Sequence, residues 1–227
     1  MPRRFTPFIK DQIYHTFNQG IDRMPTFTGQ KEYERAMDVI RFYQYKVPIR
    51  FSIFRALNSE EKSKFAAKYF RNDNRIVSIL SFCLMPNHFH FLLKQLNDNG
   101  IPRYLSIFQN SYTKFINTKN NRKGSLFLDQ FKAVRIETDE QLIHVSRYIH
   151  LNPYTAYILK SLDDLENYPW SSFKEFINGQ KDIVDTEVVL SYFKNTKDYK
   201  NFVYDQAAYQ RKLDAIKHLV LEETELS

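Results

Sequence analysis

Apolar positions along this chain switch repeatedly between a period of two and a period near 3.6, the spacings that distinguish strands from helices. Gln12 to Phe17 alternates like a strand and ends at Asn18-Gln19-Gly20, a turn signal. Tyr33, Met37, Ile40 and Tyr43 recur at helical spacing within Gln30 to Tyr45, and Pro48 ends that run. Ile49 to Leu57 reads as a second strand. Ser59-Glu60-Glu61 opens a helix to about Phe70, with Ser59 as its N-cap. Ile76 to Met85 is apolar, Pro86-Asn87 breaks it, and His88 to Gln95 resumes as a strand. Pro102 starts a helix through Tyr104, Leu105, Phe108, Tyr112 and Phe115 to about Asn117. A basic polar loop covers 118–124, and Ser125 to Ile136 reads as extended. Thr138 caps a helix over Asp139 to Leu151, which Asn152-Pro153 is expected to stop.

Strands and helices in this order predict an α+β sandwich, one antiparallel sheet backed by helices. From about residue 180 the chain turns acidic and amphipathic, with a helix expected from Asp205 to Glu222. The expected division is therefore a main domain over 1–180 and an acidic, mostly helical C-terminal appendage over 181–227.

Composition narrows the function classes. With 43% hydrophobic and 16% aromatic residues, the 227-residue chain folds around a real core. Only five glycines are present, and neither a P-loop nor a dinucleotide fingerprint occurs. The single cysteine, Cys83, excludes an internal disulfide and a Cys-rich zinc site, and reads as a buried small hydrophobe. The basic N-terminus lacks the apolar region of a signal peptide, and no stretch approaches the length of a membrane span, so a cytoplasmic, membrane-free protein is expected. Charge is uneven. Residues 1–136 hold 23 Lys/Arg against 10 Asp/Glu, a net of +13, while the remainder holds 10 against 16, a net of −6. A basic body of this kind suits a polyanion such as nucleic acid.

The candidate chemistry starts at His88-Phe89-His90. On a strand, both imidazoles share one face and Phe89 points into the core, which makes a two-ligand half-site for a divalent metal. In isolation such a pair is more often polar decoration on the wet face of a sheet. The helix over Asp139 to Leu151 changes that balance. Tyr148 and Asn152, four residues apart, lie on one helical face, as does His144. An amide oxygen and a phenol brought against two histidines would place a nucleophile beside a metal. Of the fifteen tyrosines, Tyr112 sits at core spacing on its helix and Tyr154 lies beyond the expected helix end, which leaves Tyr148 preferred.

The run from Met85 to Leu93 (Met-Pro-Asn-His-Phe-His-Phe-Leu-Leu), Tyr-Ile-His-Leu-Asn-Pro from Tyr148, and Tyr168-Pro169-Trp170-Ser171-Ser172 together resemble the IS200-like tyrosine transposases, in particular their REP-associated branch. The resemblance spans about residues 10 to 178, including the Tyr14-His15 strand. It implies an HUH endonuclease fold with a ferredoxin-like antiparallel sheet, His88 and His90 as metal ligands, and Tyr148 as the nucleophile. Asn152 falls at the polar position that helps hold the metal, often Gln in relatives. The implied activity is metal-dependent cleavage and strand transfer of single-stranded DNA near hairpins, through a 5′-phosphotyrosine link. The expected cofactor is Mg²⁺ or Mn²⁺, the expected partner single-stranded or hairpin DNA, and the candidate assembly a homodimer. Arg122, Lys123, Lys132 and Arg135, around the Gly124 turn, are the candidate phosphate contacts, with Phe127, Phe131 and Tyr112 as candidate stacking rings. Two positions depart from the pattern. Gln19 and Gln130 stand where relatives commonly carry Arg. Those departures motivate the alternative expectation, a domesticated hairpin-binding protein that no longer cuts.

Overall fold

The computed structural model describes residues 7–179 and 182–211. Strands β1 (Ile13–Gln19), β2 (Val77–Met85), β3 (His88–Gln95) and β4 (Lys132–Ile136) form one sheet in the order β2-β3-β1-β4, every neighbouring pair antiparallel. Helices α1 (Gln30–Tyr43), α2 (Phe51–Ala56) and α3 (Ser59–Tyr69) connect β1 to β2, and α4 (Gly100–Lys119) connects β3 to β4. This connectivity and order make the ferredoxin-like βαββαβ arrangement. After β4 comes α5 (Asp139–Thr155), then α6 (Phe173–Asn178), α7 (Glu187–Leu190) and α8 (Thr196–Tyr204).

Alternation along β3 assigns the layers. Phe89 and Phe91 meet Phe108 of α4 with ring centroids 5.2 and 5.6 Å apart, whereas His90 between them meets Tyr148 of α5. The crossover helices α1 and α4 therefore cover one face of the sheet and α5 covers the other. Phe89 and Phe91 are fully buried, each worth about 2 to 3 kcal/mol on area grounds. The outer edge of β2 is covered by the Trp170–Ser172 stretch: Leu84 N–H donates to the Trp170 carbonyl at 2.8 Å, and Ser172 N–H to that of Phe82 at 3.0 Å. Covering an edge removes a row of unpaired backbone groups. Cys83 is buried as expected.

Several local expectations are corrected. Ile49 to Leu57 is not a strand but contains α2. Phe51 and Phe54, three apart, both reach Phe42, with centroids at 5.3 and 5.0 Å, and only a helix turns an odd spacing onto one side. The N-cap of α3 is Asn58, not Ser59. Its side chain accepts from Glu61 N–H and the Glu61 carboxylate accepts from Asn58 N–H, each at 2.9 Å. Of the extended stretch 125–136, only Lys132–Ile136 joins the sheet as a strand. Helix α5 runs through Pro153 to Thr155, so Tyr154 is helical. Burial of Leu151, Asn152, Pro153 and Thr155 holds that last turn despite the missing N–H.

Where it is described, the acidic segment packs against the main domain. Val189, Tyr199 and Val203 are buried in the common core, and α8 packs on both α5 and α6. Its amphipathic face was visible in the sequence, but its docking partner was not. Of the helix expected over 205–222, residues 207–211 are helical and 212–222 lie outside the described residues.

Candidate functional site

The β1–β3 register builds the site. Phe17 lies opposite His90, Gln19 opposite His88, and His15 opposite Leu92. Opposed residues of an antiparallel pair share a face, so His15, Phe17 and Gln19 join the two motif histidines. On the other side of β1, Lys132 pairs with Phe17. Helix α5 lies over this face and lowers Tyr148 onto it. The Tyr148 ring stands edge-on to His90 (5.5 Å, 85°) and to His15 (6.0 Å, 75°), while His88 and His90 are 5.0 Å apart. A cleft of about 240 Å³ opens beside them, with Phe17, Gln19, His88, His90, Gln130 and Lys132 in its walls.

Burial holds the imidazoles of His15 and His90 neutral. It brings His15 down to about 4, and it carries His90 well below the usual histidine range, with His88 and His15 adding to the effect. A neutral ring keeps one lone pair and one N–H. The His90 Nδ1 lies 3.0 Å from His15 Nε2, and the His88 Nδ1 lies 2.7 Å from Asn87 Oδ1. Among the described residues, no carboxylate lines the cleft and its one cation is Lys132, whose ammonium sits 6.0 Å over the Phe17 ring. Among the described residues, no group of three or more His, Cys, Asp or Glu side chains is placed to hold a metal ion. A cation here would need the amide oxygen of Asn152 or oxygens brought by a ligand to complete its shell.

The expected site residues separate on the structure. His88, His90 and Tyr148 come together as the sequence suggests. Asn152 is buried one turn beyond Tyr148, with its amide N–H donating to the Tyr148 carbonyl at 2.8 Å. Lys132 reaches the cleft; Arg122, Lys123 and Arg135 do not line it. Arg122 secures the end of α4 through Asn117 Oδ1 (2.9 Å) and the Ser125 carbonyl (3.1 Å), and Lys123 is exposed. Arg135 alternates with Lys132 onto the opposite side of β4, where its guanidinium donates to Gln12 Oε1 at 2.9 Å. Of the rings, Tyr112 and Phe127 are core, and Tyr112 donates to the Thr26 carbonyl. His144 turns away, paired with Arg147 and set against Phe202 of α8. Sequence reasoning gave no role to His15. The only signal was its alternation with Phe17, which means nothing until β1 is known to pair with β3.

The family model described as "Transposase IS200 like" matches residues 49–152, a span that holds His88, His90, Tyr148 and Asn152. Over that span the chain is similar to the IS200-like transposases. Strand β1, with His15 and Gln19, lies outside the matched segment. Among solved structures, a REP-associated tyrosine transposase bound to a REP hairpin is similar at 15% identity and a TM-score of 0.54, over 82% of this chain and 94% of that one. That likeness establishes a shared fold. A protein of Deinococcus radiodurans R1, described as a candidate transposase, aligns at 12% identity and a TM-score of 0.35, over 65% of this chain and 95% of that one. No curated protein matches the chain. Among the described residues, no helix is long and apolar enough to cross a membrane.

Proposed function

We propose that this protein is an IS200-like transposase, a metal-dependent single-stranded DNA endonuclease and strand transferase, with Tyr148 as nucleophile and His88, His90 and Asn152 as metal ligands. The observation that carries the reading is the meeting of Tyr148 and His90 across two elements, 5.5 Å apart at the ring centroids, beside a cleft that no carboxylate of the described residues lines. Attack of the Tyr148 oxygen on a scissile phosphorus would break the bond to the 3′ oxygen. The DNA 5′ phosphate would then be linked to Tyr148, and the phenolic proton, lost to solvent, would be balanced by a proton that the departing 3′ oxygen takes from solvent to become a hydroxyl. The phosphodiester energy is retained for rejoining.

The donor set fits a divalent cation such as Mg²⁺ or Mn²⁺: two imidazoles, one of them kept neutral by burial, and an amide oxygen one helical turn from the nucleophile. Bound there, the cation would polarise the phosphate and offset its developing charge. None of these protein donors is an anion, so DNA phosphates would supply the balancing negative charge. Single-stranded or hairpin DNA is the proposed substrate, supported by the basic first 136 residues and by the hairpin on the structural relative.

The test is a labelled hairpin oligonucleotide with single-stranded flanks, incubated with Mg²⁺ or Mn²⁺ and resolved under denaturing conditions. A covalent adduct with wild type and none with Tyr148→Phe is expected. An adduct that persists in Tyr148→Phe sinks the assignment. A second reading, hairpin binding without cleavage, is favoured by one observation: Gln19 and Gln130 both line the cleft beside the histidines. Undiminished hairpin binding after His88→Ala, with no adduct under any metal, would establish it.

A further inference from the structure

The two motif histidines are each held at Nδ1 by a neighbour outside the motif's ligand atoms. We propose that His15 and Asn87 are positioning residues that fix the tautomers of His90 and His88, so that Nε2 is the ligand atom of each; this rests on the metal-centre reading above.

A neutral imidazole that donates from Nδ1 keeps its lone pair at Nε2, and one that accepts at Nδ1 carries its proton at Nε2 and cannot ligate there. Metal-binding histidines are oriented by whatever accepts their second ring N–H. For His88 the acceptor is defined by a chain of bonds. Asn87 Nδ2 donates to the Arg23 carbonyl at 3.3 Å, which turns Asn87 Oδ1 toward His88 Nδ1 at 2.7 Å. An amide oxygen only accepts, so His88 donates from Nδ1. For His90 the neighbour is His15 Nε2 at 3.0 Å. That imidazole can accept or donate. Accepting puts the His90 lone pair at Nε2; donating blocks that atom with a proton. His15 reaches this position because its β1 register is one diagonal step from His90 on the same face. Neither contact is needed to form the sheet, whose backbone ladder is complete without them.

The experiment uses the full chain with ¹⁵N-labelled histidine. Long-range proton–nitrogen correlation of the metal-free protein separates the two tautomers, and Mn²⁺ binding is followed by electron paramagnetic resonance. Wild type is expected to show His88 and His90 both protonated at Nδ1. His15→Phe is expected to move His90 to the Nε2–H form and to weaken Mn²⁺ binding about 10- to 100-fold. His15→Gln, whose amide oxygen can still accept, is expected to restore the Nδ1–H form and most of the affinity. The wild-type tautomer measurement needs no variant to fold. His90 protonated at Nε2 in wild type overturns the proposal, as does equal Mn²⁺ affinity in wild type and both variants. The expected tautomers with no Mn²⁺ binding at millimolar concentration would uphold the positioning and refute the metal centre instead.

Discussion

The Tyr199 hydroxyl lies 2.7 Å from His150 Nδ1 and 2.7 Å from the Ser146 hydroxyl, joining α8 to the buried side of α5. His150 Nε2 in turn lies 2.7 Å from the Ser172 hydroxyl, which accepts from Phe82 N–H on β2. His150 is two residues from Tyr148, so this network grips the side of α5 turned away from the candidate nucleophile. Tyr199→Phe keeps the ring and leaves two buried partners short of a bond, an expected cost of about 1 to 3 kcal/mol. Denaturant unfolding should show a lower midpoint at unchanged slope. Coincident curves would mean that the network adds nothing to stability.

Ending the chain at residue 180 should be costlier than any single change in that network. It removes Val189, Tyr199 and Val203 from the core and uncovers α5 and α6. Thermal unfolding monitored by circular dichroism is expected to show a large fall in midpoint or loss of the transition. A truncated chain as stable as the whole would restore the reading of this segment as an appendage.

Stability should also fall in mild acid. Burial holds His150 neutral in the fold, with its pKa down to about 3, against 6.5 in an unfolded chain. Across that interval the unfolded chain binds a proton that the folded chain does not. Stability therefore stands complete above 6.5 and is lost as pH falls, at about 1.4 kcal/mol per pH unit for one such histidine. His15, brought to about 4, adds to the same limb. Urea midpoints of the metal-free protein should drop between neutral pH and pH 5, and His150→Asn should flatten the decline. A flat wild-type profile over that range would show that His150 carries its proton in the fold.

Much of this molecule was legible because its signals are local. The strand at His88 and the helix at Thr138 announce themselves through alternation and capping, and together they name His88, His90 and Tyr148. What escaped depends on pairing. Phe51 and Phe54 became helical because Phe42 of another helix takes both rings, a tertiary preference that overrides β-branched and aromatic propensity. Pro153 stays in α5 because its surroundings are buried. Gly100 shows the same limit from the other side: a Cβ there would stand 2.3 Å from the Ile76 carbonyl, a close approach that no local pattern reveals. Gln19 and Gln130 share one cleft, and His15 touches His90, only because β1 lies beside β3.

Adding a guanidinium to that cleft should strengthen DNA binding. Gln130 lines it beside the histidines, and Lys132 is its only cation among the described residues. For Gln130→Arg, tighter binding to a single-stranded oligonucleotide is expected. If the new side chain meets one phosphate, the slope of log affinity against log salt should steepen by about 0.7. Anisotropy titrations over a range of salt measure both. An unchanged slope would place the phosphates elsewhere.

Lys132 and Arg135 give the sharpest test of which side of the sheet carries DNA. They stand three apart on β4, so the pleat sends them to opposite faces: Lys132 to the cleft, Arg135 to Gln12 on the side of the crossover helices. Both carry one positive charge, so a merely electrostatic attraction to the whole protein would respond alike to losing either. If the strand lies against Tyr148 and the histidines, Lys132→Ala should lower affinity and make the salt slope shallower by about 0.7, while Arg135→Ala leaves both unchanged. Equal losses would indicate diffuse attraction. Loss with Arg135→Ala alone would put the DNA on the face opposite Tyr148, where that hydroxyl could not reach a phosphate.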